Sequence, residues 1–479
     1  MELRTQLLIG GEWVDGTSRF PTVNPATEEV IAEVEEAGPA EVDAAVRSAR
    51  DAFEDPSWRD FDPHRRAALL WRLADLVEEN LEFIAELETR DNGKPAFESA
   101  RVDLPFVVSN FRYFAGWADK LAGDVIPVSG SFLNYTLREP LGVIGAIIPW
   151  NFPLNIASWK LAPALACGNA VILKPAEETP LTALLLGELA LEAGFPPGIV
   201  NVIPGRGPVT GQAMVEHPGI DKIAFTGSTE TGRIVMRTAA ESLKKVSLEL
   251  GGKSPNVVFA DADLGAAVRG AITGIFYGKG EVCAAGSRLF VEASIKDEFM
   301  EQLTSKAAGM TVGDPNHPKT RLGAIVSKGQ HERVLSYIEA GIEQGATLRT
   351  GGQAATVDGR GYFIEATVFD DVKPDMTIAR EEIFGPVLAT LAFEDLDDAV
   401  AQANQTIYGL AAGVWTRDVG KAHRFARAVR AGTVWVNTYN RYDPGSPFGG
   451  FKQSGFGRDL GERALEEYTQ TKSVWVALD

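Results

Sequence analysis

The sequence predicts an α/β protein with two parallel sheets, each covered by helices, and a small separate β element. Three observations carry that expectation. Short β-branched runs ending in Gly, Pro or Ser alternate with helical patterns in two successive blocks. The 479 residues exceed what one hydrophobic core usually supports. Two further segments are apolar and strand-like yet belong to neither block.

In chain order, residues 40–55 and 62–100 predict amphipathic helices, as in "RRAALLWRLADLVEENLEFIAELETR", with apolar residues at helical spacing. Then the texture changes. "LGVIGAIIP" (141–149), "NAVILKP" (169–175), "GIVNVIPG" (198–205), "DKIAFTGS" (221–228) and "KVSLELGG" (245–252) read as strands. Helical stretches such as "TPLTALLLGELALEAG" separate them, which predicts a parallel sheet covered on both faces. The alternation resumes in "NVVFAD" (256–261), "SRLFVEAS" (287–294), "VLATLAFED" (387–395), "GLAAGVWTRD" (409–418) and "GTVWVNT" (432–438), a second α/β unit. "GDVIPVSGSFLNYTLREP" (123–140) predicts a hairpin and "TKSVWVALD" (471–479) a C-terminal strand. Apolar strands projecting from a domain need a partner, so subunit contacts are expected there.

The net charge of −19 argues against nucleic acid or an anionic membrane as partner, because both require basic patches. Two cysteines cannot form a disulfide framework. The first residues lack the pattern of a signal peptide, and no apolar run approaches the ~20 residues of a membrane span. A cytoplasmic, reducing setting is expected, in which a free thiol persists.

Cys283 lies in "FYGKGEVCAAGSR" (276–288), a Gly-flanked turn between a helical segment and a strand, with Lys279 and Arg288 nearby. Backbone amides in such a turn can face a ligand. By residue type alone it is either a nucleophile or a small packed side chain. Cys167, at the end of an apolar helix in "LAPALACGNA", reads as packing. None of the five histidines (His64, His217, His317, His331, His423) stands out as a partner base. Glu249 is the last acidic residue before Gly251–Gly252, at the C-terminal end of a strand, where open parallel sheets bind ligands. Asn151 in "PWNFP" sits at another such edge and can donate to an oxyanion; a turn-forming Asn is the other reading. Lys174 and Glu177 follow the second strand, where an acidic side chain can accept from ribose hydroxyls and repels a 2′-phosphate. Ser228 in "FTGSTETG" opens a helix that can hold a pyrophosphate. Neither this stretch nor "PGRGPVTG" (204–211) is G-x-G-x-x-G.

Eight stretches in this order resemble the aldehyde dehydrogenase superfamily, in its NAD(P)-dependent, hydrolytic branch: "PWNFPL", "GNAVILKPAEETPL", "FTGSTETG", "LELGGKSP", "GEVCAAGSR", "EEIFGPVL", "YGLAAGVWT" and "PFGGFKQSGFGRDLGE". The resemblance spans residues 7–478. It implies a Rossmann-type NAD-binding domain (1–122 and 141–251), a catalytic domain (252–453) and an oligomerisation element (123–140 and 469–479). It implies oxidation of an aldehyde to the carboxylic acid with reduction of NAD rather than NADP. Cys283 matches the nucleophile, Glu249 the general base and Asn151 the side-chain half of the oxyanion hole. Ile148, Pro149, Trp150, Lys174, Glu177, Gly207, Phe225, Gly227, Ser228, Leu250, Glu382 and Phe384 match cofactor contacts. Phe152, Trp159, Tyr277, Tyr442 and Phe448 match the wall of the aldehyde tunnel, and no metal is implied. A homodimer or homotetramer is expected.

One departure stands out. Where the family usually reads Asn-Gln-Gly-Gln, this chain reads Gly278-Lys279-Gly280-Glu281. A carboxylate two residues from the thiol disfavours thiolate and a lysine beside it acts the other way; the sequence does not say which prevails. Three other functions fit the residues less well. A CoA-acylating enzyme on this fold tends not to keep the Glu249 carboxylate. A thiol hydrolase lacks an evident His and leaves Lys174 and Glu177 unexplained. A non-catalytic scaffold leaves the matching site residues unexplained. The aromatic tunnel positions suit apolar, aromatic or long aliphatic aldehydes, and a quaternary ammonium group also fits aromatic rings. Arg441 is the candidate, by position, for a substrate carboxylate.

Overall fold

A computed structural model describes residues 3–479. Its largest sheet has eight strands, and five parallel ones form its centre. In spatial order these are Val200–Val202, Ala170–Lys174, Val143–Ile147, Lys222–Thr226 and Lys245–Glu249. By chain position that order is 3-2-1-4-5, the doubly wound arrangement, with a crevice where the winding reverses beside Val143–Ile147. The N-terminal hairpin Leu7–Ile9/Glu12–Val14 adds antiparallel strands at one edge, and Gly455–Phe456 adds one at the other. The hairpin lay outside the predicted elements because its strands are three residues long. A core including Val143, Leu165, Ile172, Leu184 and Ile223 packs about this sheet.

The second sheet has seven strands, in the order Thr347–Thr350, Thr367–Asp370, Val387–Phe393, Arg288–Glu292, Pro255–Val258, Ala411–Trp415 and Thr433–Val436. All neighbours are parallel except the first pair. Its strands alternate sides, as the pleat requires. Val258, Leu289 and Val291 enter one core, while Val257 and Phe290 enter another on the opposite face. Burial on both faces explains why these runs are almost wholly apolar.

The hairpin Val125–Ile126/Phe132–Pro140 pairs antiparallel with the C-terminal strand Thr469–Ala477 in a third sheet. It leaves Val125 73%, Phe132 46% and Trp475 59% exposed. Among the described residues, no helix is long and apolar enough to cross a membrane.

Three local structures set the active-site region. Helix Pro153–Ala166 starts directly after Asn151 and Phe152, with Pro153 in its first turn, where a missing N–H costs nothing. Ser228 caps helix Thr229–Ala240, its hydroxyl accepting from Thr231 N–H (3.1 Å). Helix Leu264–Phe276 ends at a turn in which Gly278, Lys279 and Gly280 all have positive φ (57°, 62° and 73°). Glycine adopts that conformation freely, whereas a lysine there is strained and must be held by its surroundings.

Candidate active site

The C-terminal ends of three neighbouring parallel strands converge. Val143–Ile147 leads into Pro149, Trp150 and Asn151. Lys222–Thr226 leads into Gly227 and Ser228, and Lys245–Glu249 ends at the glutamate itself. These residues, with Leu250, Gly251, Cys283, Glu382 and Phe384, line one cavity of about 200 Å³. Thiol, carboxylate and side-chain amide therefore face a common space.

Two glycines make the crossing from the first sheet to the second possible. A Cβ on Gly251 would stand 2.0 Å from Glu382 Oε2, and one on Gly252 would stand 2.4 Å from the Cys283 carbonyl oxygen. Gly252 N–H donates to Glu382 Oε1 (2.9 Å), which fixes that carboxylate at the cavity.

Glu249 is not a solvated strand carboxylate. It is buried, and its Oε1 has no hydrogen-bond partner in the protein. Burial pushes its carboxyl up to about 8, helped by nearby Asp459 and opposed by Lys160 and Arg458. Lys160 Nζ and Asp459 Oδ2 form a buried ion pair at 2.6 Å. Glu382 is pushed up to about 7, again chiefly by burial. Cys283 is partly accessible, and its thiol is pushed up by burial first, then by Glu249 and Glu382. Cys167 is buried in the first core, with its thiol raised to about 12 by burial, which fits packing.

The positive charges near Cys283 in sequence do not face it in space. The Arg288 guanidinium donates to the carbonyls of Lys253, Gln402 and Ala403. Lys279 Nζ lies 2.7 Å from the Glu281 carboxylate. Lys279 and Glu281 therefore pair with each other within the loop. Asn151 is also more than a turn residue: its Nδ2 donates to the Glu281 carbonyl (2.9 Å), at the edge of the nucleophile loop.

Other predicted residues fall outside the cavity lining. Ile148 is buried and its N–H donates to the Lys174 carbonyl (3.1 Å); Phe225 is buried beneath Gly227. Lys174 Nζ donates to the Pro175 carbonyl (2.9 Å) and lies 3.5 Å from Glu177 Oε2. Gly207 opens the wide π-helical turn Gly207–Gly211, whose last residue approaches the Lys174 side chain. The five predicted tunnel residues form an aromatic cluster: Phe152 stacks on Tyr277 (6.0 Å between ring centres), and Trp159, Tyr442 and Phe448 contact one another at 5.4–6.3 Å. Cys283 packs against the same core as this cluster. Arg441 is exposed, and its carbonyl accepts from Trp435 Nε1.

Sequence reasoning missed Lys160 and Asp459. Lys160 looks like an ordinary helix lysine beside Trp159, and Asp459 lies hundreds of positions from Glu249; only folding joins them. Among the described residues, no group of three or more His, Cys, Asp or Glu is placed to hold a metal.

Comparison with known proteins shows the family of the chain. The family model described as "Aldehyde dehydrogenase family" matches residues 13–474. The human mitochondrial aldehyde dehydrogenase is 52% identical over 475 residues, 98% of this chain and 92% of that protein. Human retinal dehydrogenase 2 is 50% identical over 478 residues, 99% of this chain and 92% of that protein. The NAD+ complex of an aldehyde dehydrogenase from Bacillus cereus superposes with a TM-score of 0.98 at 49% identity, covering 100% of this chain and 97% of that one.

Proposed function

Because the chain belongs to the aldehyde dehydrogenase family, we propose that it oxidises an aldehyde to the carboxylic acid through Cys283, Glu249 and Asn151, with NAD as acceptor. One observation carries this reading: three side chains from separate segments, each suited to one step, line the same cavity.

The residues present suit NAD. Ser228 caps a twelve-residue helix whose amide end favours a pyrophosphate. Glu382 offers a fixed carboxylate to ribose hydroxyls, and Pro149, Trp150, Leu250 and Phe384 supply apolar walls for a nicotinamide. Lys174 and Glu177 would hold the adenosine ribose, with Ile148, Gly207, Phe225 and Gly227 shaping the backbone around it. The Glu177 carboxylate favours NAD over NADP, because it repels a 2′-phosphate. When bound, NAD supplies the hydride acceptor and a positive charge beside the thiol.

At rest the Cys283 thiol is held neutral by burial and by two neighbouring carboxyl groups. The thiol passes its proton through the Glu249 carboxylate to solvent, and attack of the sulfur on the carbonyl carbon forms a C–S bond, breaks the C=O π bond and leaves an oxyanion. Asn151 spends one amide hydrogen on the Glu281 carbonyl. Its second is available for the oxyanion, together with the Cys283 backbone N–H, and one such donor is worth on the order of 3 kcal/mol. Loss of hydride from the same carbon leaves a thioester. Glu249 then takes a proton from water, which attacks the thioester, breaks the C–S bond and releases the acid. A carboxyl poised at about 8 is a far stronger base than an ordinary one. The same residue favours hydrolysis over transfer to CoA.

The aromatic cluster fits the tail of an apolar, aromatic or long aliphatic aldehyde. A panel of aldehydes assayed by NADH production ranks these classes. The exposed apolar strands at 125–137 and 475–476 favour a homodimer or homotetramer, and a reduced thiol favours the cytoplasm. The cofactor domain would comprise 1–122 and 141–251, the catalytic domain 252–453, and the oligomerisation element 123–140 and 469–479. Cys283→Ser tests the whole assignment. It should bind NAD by calorimetry yet oxidise no aldehyde; full retained activity overturns it.

A further inference from the structure

The loop that bears Cys283 is fastened by charge to the segment that bears Asn151. The Lys279 side chain is buried; its ammonium donates to the Asn92 carbonyl (2.9 Å) and to Asn92 Oδ1 (3.0 Å), and it lies 2.7 Å from the Glu281 carboxylate. Asn92 thus takes two of its N–H bonds, and the Glu281 carboxylate is the counter-charge within ion-pairing distance. Glu281, also buried, accepts from Val326 N–H (3.1 Å). Asn92 in turn donates its Nδ2 to the Trp150 carbonyl (2.8 Å), and the next residue, Asn151, donates to the Glu281 carbonyl (2.9 Å). Two ties therefore join the same pair of segments. One runs directly from Asn151 to Glu281, and the other from Trp150 through Asn92 and Lys279 to the Glu281 carboxylate.

We propose that the Lys279–Glu281 ion pair is a positioning device that fixes the Asn151 amide relative to the Cys283 loop. This rests on the role given above to Asn151. The two charges cancel over 2.7 Å, so the pair acts on the thiol through geometry. The strained conformation of Lys279, φ 62°, is held by its two hydrogen bonds to Asn92 and its ion pair with Glu281. Loss of either charge strands the other in a buried site and frees the loop. A shift of well under an ångström in the donor is enough to slow attack, since misplacement by about 1 Å can cost a hundredfold.

The test compares Lys279→Gln, Glu281→Gln and the double variant Lys279→Gln/Glu281→Gln, with Asn151→Ala alongside. The readouts are the pre-steady-state NADH burst rate, the KM for NAD, and the pH profile of Cys283 alkylation by iodoacetamide. Each single variant should lose about ten- to a hundredfold in burst rate with little change in KM. The double variant should recover to within a few fold, because two neutral amides can hydrogen-bond to each other. The alkylation profile should stay in place throughout. A double variant as slow as the singles, or singles with full burst rates, overturns the proposal, as does an alkylation profile that moves with the rate. If a single variant does not fold, Asn92→Ala replaces it: the ion pair stays and its anchor goes. It should lose about tenfold, and an unchanged rate is equally fatal. Asn151→Ala separates the two readings. Full burst in that variant ends the oxyanion assignment, whereas its loss alongside unaffected Lys279 and Glu281 variants ends only the positioning role.

Discussion

Two sets of buried carboxyl groups flank the nucleophile, and they differ in how they are partnered. On the cavity side, Glu249 and Glu382 have no cation within ion-pairing distance among the described residues, and burial raises them to about 8 and 7. On the loop side, Glu88 and Asp103 share the Lys94 ammonium at 2.9 and 2.8 Å, and Glu281 holds Lys279. Lys94 also lies over the Phe152 ring (4.7 Å), so this scaffold touches the aromatic cluster. A buried acid left unpaired is poised to gain or lose a proton near neutral pH. Burial raises the paired Glu88 and Glu281 as well, but the adjacent lysine opposes the shift in each, so the pair serves as structure.

The largest expected effect removes the poised base. Glu249→Gln should leave the NADH burst intact and then stall, with steady-state turnover falling about 10²- to 10⁴-fold. A rapid, unchanged steady state would take Glu249 out of deacylation and erase the distinction between the two regions.

Next comes stability. Lys94→Met strands two buried carboxylates and should cost roughly 3–5 kcal/mol in urea unfolding. Glu382→Gln, on the cavity side, should cost about 1 kcal/mol or less, since it removes an unpaired buried acid. The sign with pH follows. A carboxyl raised from 4.5 to about 7 binds more protons folded than unfolded, so its contribution falls as pH rises through that window. Glu382→Gln should therefore gain stability relative to the parent between those pH values. A gap that stays flat with pH would show Glu382 to be ionised throughout.

A smaller effect concerns the pH midpoint of deacylation, expected at about 8, with the rate rising as pH rises. Asp459→Asn removes a negative neighbour of Glu249 and should lower that midpoint by about one unit; Lys160→Met should raise it by a similar amount. Single-turnover thioester hydrolysis measures both. Shifts in the same direction would contradict the assigned neighbours.

The smallest contrast is between the two thiols. Iodoacetamide should label Cys283, faster as pH rises, and spare buried Cys167 in the folded protein, by peptide mapping. Labelling of both at equal rates would place Cys167 at the surface.

Much of the site was legible in the chain because its residues sit at strand ends with recognisable turn chemistry. Local context left Cys283, Glu249 and Asn151 each with a second reading, and eight ordered motifs joined them. Lys160 and Asp459 were not legible, since each looks ordinary until folding brings them to Glu249. The Lys279–Glu281 pair was visible as a departure. Its partner Asn92, far away in sequence, gave no local sign.

The sequence by itself determined the two α/β units, the projecting β element and which residues were candidates for the chemistry. These follow from period-2 and period-3.6 patterning, from Gly and Pro at strand ends, and from residue chemistry, all of which are local. Only the tertiary structure decided charge states and partnerships. Whether a carboxyl is paired or stranded depends on what long-range packing places within a few ångströms of it, and on how much water that packing removes. For this chain those two quantities separate Glu249, poised to take a proton, from Glu281, locked to a lysine two residues away.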